Sequence, residues 1–458
     1  MSYGQVDQGQ MTDYAVISSV TIFGNKKTKD KIVLREMDIA VGDTLLTKDI
    51  SEALLRNKRF IFNTSLFQEV DINIKNWDTT NRTLELEILL REDWYIFPIP
   101  IFALADRNLN IWLKEFNGSL DRTSYGLRFY HFNATGNGDR VKVLGQFGYE
   151  RRFELAYNRP NLNKAQTLGW NNIIRYQSRK EISFATEGNK QLFISDDNTD
   201  QFESFRYRSE LTLRPRINQY HTAEFEFISS TVADTVIQFL NPDFYFGSSN
   251  NLQRYFRLNY TYLNDLRNFR TYPTKGSFYR LSISKEGLGI FGDVDLFTID
   301  QTYLKYFEFS PKLSLEALGR MRYSIIRKQP PFSRYQGQGF GRNSIRGYEL
   351  YVIDALDFGQ ISTSLRYQIV NKTFKFGRFV PIESFRTMPF QLLLTFNNDV
   401  GYANDPFYGD NNPLANRWLW GGGIGLDMML YNDYVFQIEY NFNQLSESGL
   451  FLKVKLPF

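Results

Sequence analysis

Two patterns of hydrophobic and polar residues follow one another along the chain, and they change near residues 91–100. From Val16 to Leu90 the pattern mixes strand-like and helix-like segments. Beyond Trp94 a period of two recurs to the end, as in residues 436–443, where Phe, Ile, Tyr and Phe alternate with Gln, Glu, Asn and Asn. This period is that of a β-strand with one apolar face. The sequence therefore predicts a small mixed domain followed by a long all-β region.

The first region contains five predicted elements, in the order strand, helix, helix, strand, strand. Gly24-Asn25 is a turn signal after the first strand, Gly42-Asp43 separates the helices, and a polar turn joins the last two strands. In the second helix Ile50, Leu54 and Leu55 share one face. The elements are Ala15–Phe23, Thr28–Glu36, Lys48–Asn57, Val70–Ile74 and Leu84–Leu90. About 75 residues of this kind are enough for one α+β domain.

The second region has the composition of a membrane barrel. Aromatic residues make up 16% of the chain, while mean hydropathy is −0.39 and charged residues reach 23%. The longest apolar segment, Trp94–Ala105, is interrupted by Pro98 and Pro100 and is shorter than the roughly 20 residues of a membrane-spanning helix. A large soluble β-protein is the alternative. Glu, Arg and Asn on the second face of the strands favour a barrel with a wet lumen, because a sandwich would need a dry core there.

Several classes of function find no support in the sequence. The chain has no cysteine and two histidines, His131 and His221, so we expect no metal site. Residues 287–292 match the dinucleotide pattern GxGxxG, but β-type alternation follows where the fingerprint needs a helix, so we expect a hairpin turn and no cofactor. No nucleophile motif is present, which predicts that the protein is not an enzyme. A net charge of +4 gives no reason to expect nucleic acid as a partner.

The sequence also predicts the structure of several other segments. Glu187–Asp200 and Asn404–Asn416 are polar and rich in turn formers, which predicts exposed loops. Gly421-Gly422-Gly423 and Gly425 interrupt a strand, where we expect them to allow the barrel wall to bend. Residues 1–10 lack the basic start and apolar stretch of a secretory signal, so we expect a mature sequence.

A glycine-rich stretch between strands carries the decisive motif. Residues 334–349 surround Ile345-Arg346-Gly347-Tyr348, which resembles the VRGY/F motif of the POTRA-domain outer-membrane β-barrel superfamily of BamA/TamA-type assembly factors and two-partner secretion transporters, with Ile in place of Val. The resemblance implies a loop folded back into the lumen, whose arginine contacts the acid of an F-x-D-x-G motif. Asp399 and Gly401 match that motif, with Phe396 one residue further off.

The alternation of the second motif supports this pairing independently. Leu392, Leu394 and Phe396 share one strand face, so Asp399 lies on the other, where a lumenal arginine could reach it. A carboxylate holds a planar guanidinium in a fixed fork better than it holds a lysine. The alternative is an exposed surface loop with an unpaired arginine.

The resemblance covers nearly the whole chain and implies its architecture. It implies a mainly β fold, with one N-terminal α+β POTRA domain at residues 16–91 and a transmembrane antiparallel β-barrel of 16 strands at residues 97–458. First and last strands would meet at a weak seam, since prolines lack the amide donors of a full ladder. The expected seam residues are Phe97, Pro98, Ile99, Pro100, Leu452, Val454, Leu456 and Phe458.

The function implied is insertion or assembly of outer-membrane proteins, through a periplasmic POTRA domain and an openable barrel seam. A secretion pore for one dedicated partner and a non-transporting scaffold remain alternatives. The expected location is a bacterial-type outer membrane. The expected partners are unfolded outer-membrane or secreted polypeptides, the lipid bilayer and other outer-membrane assembly subunits.

Overall fold

A computed structural model describes residues 14–104, 109–114, 116–163, 165–196, 199–292, 294–340, 343–377, 386–431 and 434–455. The chain divides into two compact units. The first comprises the residues up to Tyr95 together with Phe132–Asp139, and the second comprises Ile96–His131 and Arg140–Phe458. Residues 132–139, which the predicted limits assign to the barrel, therefore group with the first unit. Among the described residues, no helix combines the length and the apolar character needed to cross a membrane.

The first unit is an α+β domain with one sheet and two helices. Its strand order is β2-β1-β4-β3, with β1 and β4 parallel and the other pairs antiparallel. The predicted order of elements is present, with a short additional strand, β2. The elements are β1 (Tyr14–Phe23), α1 (Asp30–Arg35), β2 (Thr44–Leu46), α2 (Ile50–Phe62), β3 (Phe67–Asp78) and β4 (Thr83–Glu92).

The core of this unit lies between the helices and one face of the sheet. Alternate residues of β4 are buried, as the period of two predicts. The prediction for α2 was wrong in part, because Leu55 is 58% exposed, while Ala53 and Ile61 are buried with Ile50. The buried stripe advances by three or four residues, and Asn57 completes it by donating a 2.8 Å hydrogen bond to the Ala53 carbonyl.

The 132–139 segment is tied to the first unit by a buried polar chain. Asn133 Nδ2 donates to Thr28 Oγ1 at 2.8 Å, and Thr28 Oγ1 shares a 2.9 Å hydrogen bond with the Tyr95 hydroxyl. Burial raises the pKa of Tyr95 to about 12, with its neighbours modifying the shift. The neutral phenol is therefore the form that the fold stabilises.

The second unit is built on one antiparallel sheet of 16 strands, which confirms the predicted fold class and strand number. Strands that are neighbours in the sheet are also consecutive in the sequence. The exception is the pair β9 and β12, between which the hairpin β10–β11 is inserted. A short helix, α3 (Leu109–Lys114), follows the first barrel strand. The strands of the sheet are β5 (Ile96–Leu104), β6 (Thr123–Phe132), β7 (Arg140–Gly148), β8 (Glu150–Arg159), β9 (Leu168–Arg179), β12 (Phe202–Arg216), β13 (Gln219–Val232), β14 (Leu252–Asp265), β15 (Gly276–Glu286), β16 (Leu296–Ser310), β17 (Leu313–Ser324), β18 (Asp357–Lys375), β19 (Thr387–Asn404), β20 (Trp418–Leu430), β21 (Tyr434–Asn443) and β22 (Ser448–Lys455).

The two faces of this sheet differ in chemistry as a membrane barrel requires. Large apolar side chains stand on the outer face of strand after strand and are left exposed, which suits contact with hydrocarbon. Examples are Leu127, Leu155, Ile174, Leu211, Leu258, Tyr303, Ile361, Phe396, Ile424, Ile438 and Leu452. The inner face carries Arg, Glu, Asp, Asn and Ser instead. Exposed apolar area of this extent would be a liability in water.

The prediction of exposed loops at 187–200 and 404–416 was wrong in part. Residues 181–195 form a hairpin, β10 (Glu181–Glu187) and β11 (Lys190–Ser195), and Asn189 at its tip is fully buried. The Asn189 amide nitrogen donates to the Val352 carbonyl at 3.0 Å, and its side-chain oxygen accepts from the Leu414 backbone at 2.9 Å. Its backbone donates to Asn412. Three loops far apart in sequence are thus joined at one asparagine.

The region around the GxGxxG match is a loop, followed by a strand. Gly287, Gly289 and Gly292 all have positive φ, and the next element is β16. The helix that a dinucleotide fingerprint needs is therefore replaced by a strand, in agreement with the predicted turn.

Candidate functional site in the barrel lumen

The arginine of the predicted motif lies inside the barrel, on a loop between β17 and β18. We call residues 325–356 the lumenal loop. Arg346 Nη1 donates to Asp399 Oδ1 at 2.8 Å, and the Arg346 backbone amide donates to Asp399 Oδ2 at 3.0 Å. Asp399 is 2% exposed. The structure therefore brings Arg346 and Asp399 together, and the carboxylate holds both the side chain and the backbone of the loop.

Arg346 also reaches β18, which is adjacent to β19, and β21, which lies two strands from β19 on the other side. Its Nη2 donates to Ser364 Oγ on β18 at 3.2 Å, and its Nε donates to Glu439 Oε2 on β21 at 3.4 Å. Lys453 on the last strand, β22, donates to Glu439 at 2.6 Å. Asp399 is thus paired with Arg346, and Glu439 with both Arg346 and Lys453, so each of these buried carboxylates has a cation partner.

The other residues of the motif fix the loop by packing. Ile345 and Tyr348 are each 1% exposed and belong to one buried cluster. Gly401 leaves the space that Ile345 fills, since a Cβ at Gly401 would lie 2.4 Å from Ile345 Cδ1. Gly347 has φ of +83°, a conformation that side chains disfavour.

The glycines of β20 allow close approach, a role that the sequence analysis did not predict beside bending of the wall. A Cβ at Gly421 would lie 1.9 Å from the Arg346 carbonyl oxygen, and one at Gly425 would lie 2.6 Å from Thr395 Oγ1. The missing side chains therefore make room for the lumenal loop at Gly421 and for the Thr395 side chain at Gly425.

Sequence reasoning missed Glu439, Lys453 and Glu349. Asn441 Nδ2 donates to Glu349 Oε1 at 2.8 Å, and Lys453 reaches the same oxygen at 3.5 Å. Glu439 was visible as a polar position in the alternation of residues 436–443, which fixes its face. Its partner could not be deduced, because alternation does not fix the strand register and therefore not the depth at which the loop crosses the strands.

A second segment covers the inner face of β18–β21 at the opposite end of these strands from the lumenal loop. We call residues 266–275, which connect β14 to β15, the 266–275 turn. The Tyr272 hydroxyl donates to Asp427 Oδ2 on β20 at 2.7 Å, and Gln437 donates to the same oxygen at 2.9 Å. The Arg366 guanidinium on β18 lies 4.5 Å from the centre of the Tyr272 ring and donates to the Pro273 carbonyl at 3.0 Å.

The expected seam residues lie on the terminal strands of the sheet. The strand order begins with β22 and ends with β5, and no register joins these two among the described residues. The helix α3, which follows β5, lies beside β22, so the ends of the sheet come together. Phe97, Pro98, Ile99 and Pro100 lie on β5; Leu452 and Val454 lie on β22. Leu456 and Phe458 lie outside the described residues.

The backbone nitrogen atoms of Pro98 and Pro100 in β5 point toward the seam. The Phe132 amide donates to the Tyr95 carbonyl at 2.8 Å, one step before the continuous β5–β6 register. In an antiparallel pair, hydrogen-bonded positions alternate, so Pro98 and Pro100 occupy positions whose backbone groups point away from β6. The missing amides weaken only the free edge of β5.

Comparison with known proteins agrees with this architecture. Residues 133–380 match the Omp85 superfamily domain. The chain belongs to the Omp85 superfamily. Residues 15–93 match the POTRA family, described as a surface antigen variable number repeat. The superfamily prediction is confirmed, and this Omp85 chain is an outer-membrane protein of a family that acts on polypeptide substrates, not an enzyme. No curated protein matches it significantly.

Solved structures of the same fold come from two kinds of protein. BamA from Haemophilus ducreyi lacking POTRA domains 1–3 aligns with TM-score 0.54 and 15% identity, covering 96% of this chain and 84% of that one. CdiB from Escherichia coli aligns with TM-score 0.51 and 9% identity, covering 99% and 92%. CdiB from Acinetobacter baumannii aligns with TM-score 0.50 and 12% identity, covering 97% and 74%. At these identities the likeness establishes the fold alone.

Proposed function

We propose that this Omp85 protein inserts or assembles other β-barrels in the outer membrane, with its POTRA domain in the periplasm. The observation that carries the proposal is the pair of terminal strands. Among the described residues no register joins β5 to β22, and Pro98 and Pro100 leave the free edge of β5 without two amide donors. A ladder with missing donors costs little to open.

An opened seam would offer a template for a client strand. Backbone amides and carbonyls on a free edge pair with any extended segment, and alternate side chains then select it. The outer face of β5 is apolar at Ile96, Pro98, Pro100 and Phe102, so a strand added there stays against lipid. The clients are unfolded outer-membrane polypeptides, and the bilayer and further assembly subunits are the other partners.

The loops favour insertion over a permanently open secretion pore. The lumenal loop and the 266–275 turn both occupy the lumen along β18–β21, and Asn189 joins three loops. A polypeptide passing through the lumen would have to displace buried ion pairs, which are costly to break. The secretion alternative retains one supporting observation, a lumenal wall over β6–β12 whose charged side chains remain accessible to water.

A reversible disulfide across the seam tests the proposal. The chain has no cysteine, so pairs introduced at Ile99 and at each of residues 450–454 report only on β5 and β22. The matched control is a disulfide between Tyr440 and Leu450, which are register partners within the closed part of the sheet. Oxidation of the seam pair should block assembly of other barrels and reductant should restore it, whereas the control should have no effect.

Two outcomes would redirect the proposal. Full activity with a quantitatively oxidised seam would exclude strand templating and leave the scaffold or pore. Depletion of the protein, followed by measurement of outer-membrane and secreted proteins, then separates those two. A broad fall in other barrels supports assembly, and loss of one secreted protein with barrels intact supports a dedicated transporter.

A further inference from the structure

Five basic side chains line the inner face of the first strands of the barrel. They stand on five strands that are adjacent in the sheet, β6, β7, β8, β9 and β12. We call them the basic cluster: Arg128, Lys142, Arg152, Arg175 and Arg206. Their inner position follows from the alternation, because the neighbours Leu127, Val143, Phe153, Ile174 and Phe205 are exposed on the outer face.

One carboxylate serves three of these cations. Glu154 accepts from Lys142, from Arg175 Nε at 2.6 Å and from Arg152 Nη2 at 3.3 Å. Its side chain is 1% exposed. The group of four therefore carries an excess of positive charge, although charge-assisted hydrogen bonds satisfy the single carboxylate completely.

The remaining two arginines have no partner in the described part of the chain. Neither Arg128 nor Arg206 takes part in an ion pair or a side-chain hydrogen bond there, and the Nε of each is buried and unpaired. Arg206 is the register partner of Arg175, which adds a like charge directly opposite. The carboxylate that acts on Arg206, Glu226, is already paired with Arg257.

Unpaired charge of this density needs a counter-charge. The cations repel one another. Arg128 and Arg152 both interact unfavourably with the positive charge of Lys142, and Arg175 interacts unfavourably with that of Arg206. Like charges on neighbouring strands destabilise a sheet, and buried cations are ordinarily paired. The lumenal loop supplies Arg346 to the acids of β19 and β21, but no described carboxylate forms an ion pair with Arg128 or Arg206.

The cluster also remains accessible. The side chains of Lys142, Arg152 and Arg175 are 20–26% exposed, although they point into the lumen. A molecule in the lumen can therefore reach them without displacing any of the described residues.

We propose that the basic cluster is a binding site for a multivalent oxyanion, with Arg128 and Arg206 as its two free guanidinium ligands. Guanidinium groups bind phosphate and carboxylate oxygens in a fork, and rings of arginine are the usual lining of anion-selective passages. Phosphoryl groups and runs of carboxylates share this chemistry. Binding here is independent of whether the protein inserts or secretes polypeptides.

Calorimetric titration of the full chain in detergent tests the site with two probes, inorganic pyrophosphate and deca-glutamate. We expect saturable binding of at least one probe at physiological ionic strength, and which probe binds distinguishes phosphoryl from carboxylate ligands. The double variant Arg128→Gln with Arg206→Gln should weaken it by about tenfold or more, because each loses a charge-assisted hydrogen bond.

A matched control removes the same charge elsewhere. Arg322 and Arg327 are paired with Asp300 and Asp357, so Arg322→Gln with Arg327→Gln should leave probe affinity within about twofold. Absence of saturable binding by both probes would overturn the proposal, and so would equal weakening in both double variants. Heat-modifiable migration of each variant in gels verifies that the barrel has folded.

Discussion

The wall formed by β18–β21 and the wall formed by β6–β12 face the same lumen with opposite properties. Described inner positions on the first wall include the acids Asp399, Asp427 and Glu439, and they are nearly all buried. The second wall is basic and retains contact with water. For the acidic wall, the lumenal loop supplies the opposite charge through Arg346. For the basic wall, none of the described segments supplies a carboxylate that pairs with Arg128 or Arg206. The acidic wall is therefore the one that a loop of the protein covers, and the basic wall is the one that remains open to water.

The largest expected effect is loss of the ion pair that holds the lumenal loop. Arg346→Ala leaves Asp399 buried without its cation and leaves Glu439 with Lys453 alone, and we expect a cost of about 3–5 kcal/mol in the free energy of unfolding. Chemical denaturation of the barrel in lipid vesicles measures it.

Arg322→Ala is the comparison for this variant, since Arg322 and Asp300 form an accessible pair with 27% and 36% side-chain exposure. Its cost should stay below about 1 kcal/mol. Equal costs for the two arginines would contradict the expectation that the buried ion pair contributes more than the accessible one.

A smaller effect is expected from filling the space beneath the loop. Gly421→Ala places a methyl group against the Arg346 carbonyl, which should cost about 1–3 kcal/mol by overpacking. Gly319→Ala is the control, because a Cβ at Gly319 meets nothing within 4 Å. Increased tryptic cleavage in the lumenal loop of the first variant alone would show that the loop has been displaced. Equal protection of both would contradict close approach as the reason for glycine at 421.

The 266–275 turn offers a third test on the same wall. Tyr272→Phe removes the hydrogen bond to Asp427 and leaves a buried carboxylate with Gln437 as its remaining donor, so we expect a loss of about 1–2 kcal/mol. Tyr303→Phe, on the outer face, should be nearly neutral. A cysteine at Thr274 should react faster with a soluble thiol reagent in the Tyr272→Phe background. Unchanged reactivity would mean that the ring packing holds the turn without the hydroxyl.

The smallest change is expected on the basic wall. Arg206→Gln removes a cation that stands opposite Arg175, so the unfolding free energy without ligand should stay within about 0.5 kcal/mol of the original or rise. The same denaturation experiment applies. A cost as large as that of Arg346→Ala would show that Arg206 is paired, and the contrast between the walls would fail.

The alternation of apolar and polar residues predicted correctly which face of a strand each side chain occupies. It predicted only some of the contacts between those side chains and the loops. It placed Asp399 on the inner face, and the period of two applies because side chains alternate strictly across a strand. The family motif, not the alternation, indicated that Arg346 would reach it. Glu439 was on the correct face too, but the depth at which the loop crosses depends on strand register, which alternation leaves open by steps of two residues.

The loops were the weakest part of the sequence analysis for a physical reason. Asn189 lies in a polar segment that is typical of solvent-exposed turns, and its burial depends on partners 163–225 residues later. Local composition contains no record of such partners. The same limit applies to Gly421, whose reason for being glycine lies on a loop more than 70 positions earlier in the sequence.

The buried hairpin tip has a consequence for the order of folding. Asn189 finds its hydrogen-bond partners at Val352, Asn412 and Leu414, and the last two are held between β19 and β20. The tip can lose its water only after those late strands have taken their places, because an asparagine buried without partners is costly. The connection between β10 and β11 must therefore wait, hydrated and unattached, until the sheet is almost complete, and its docking is among the final steps by which the chain acquires its native surface.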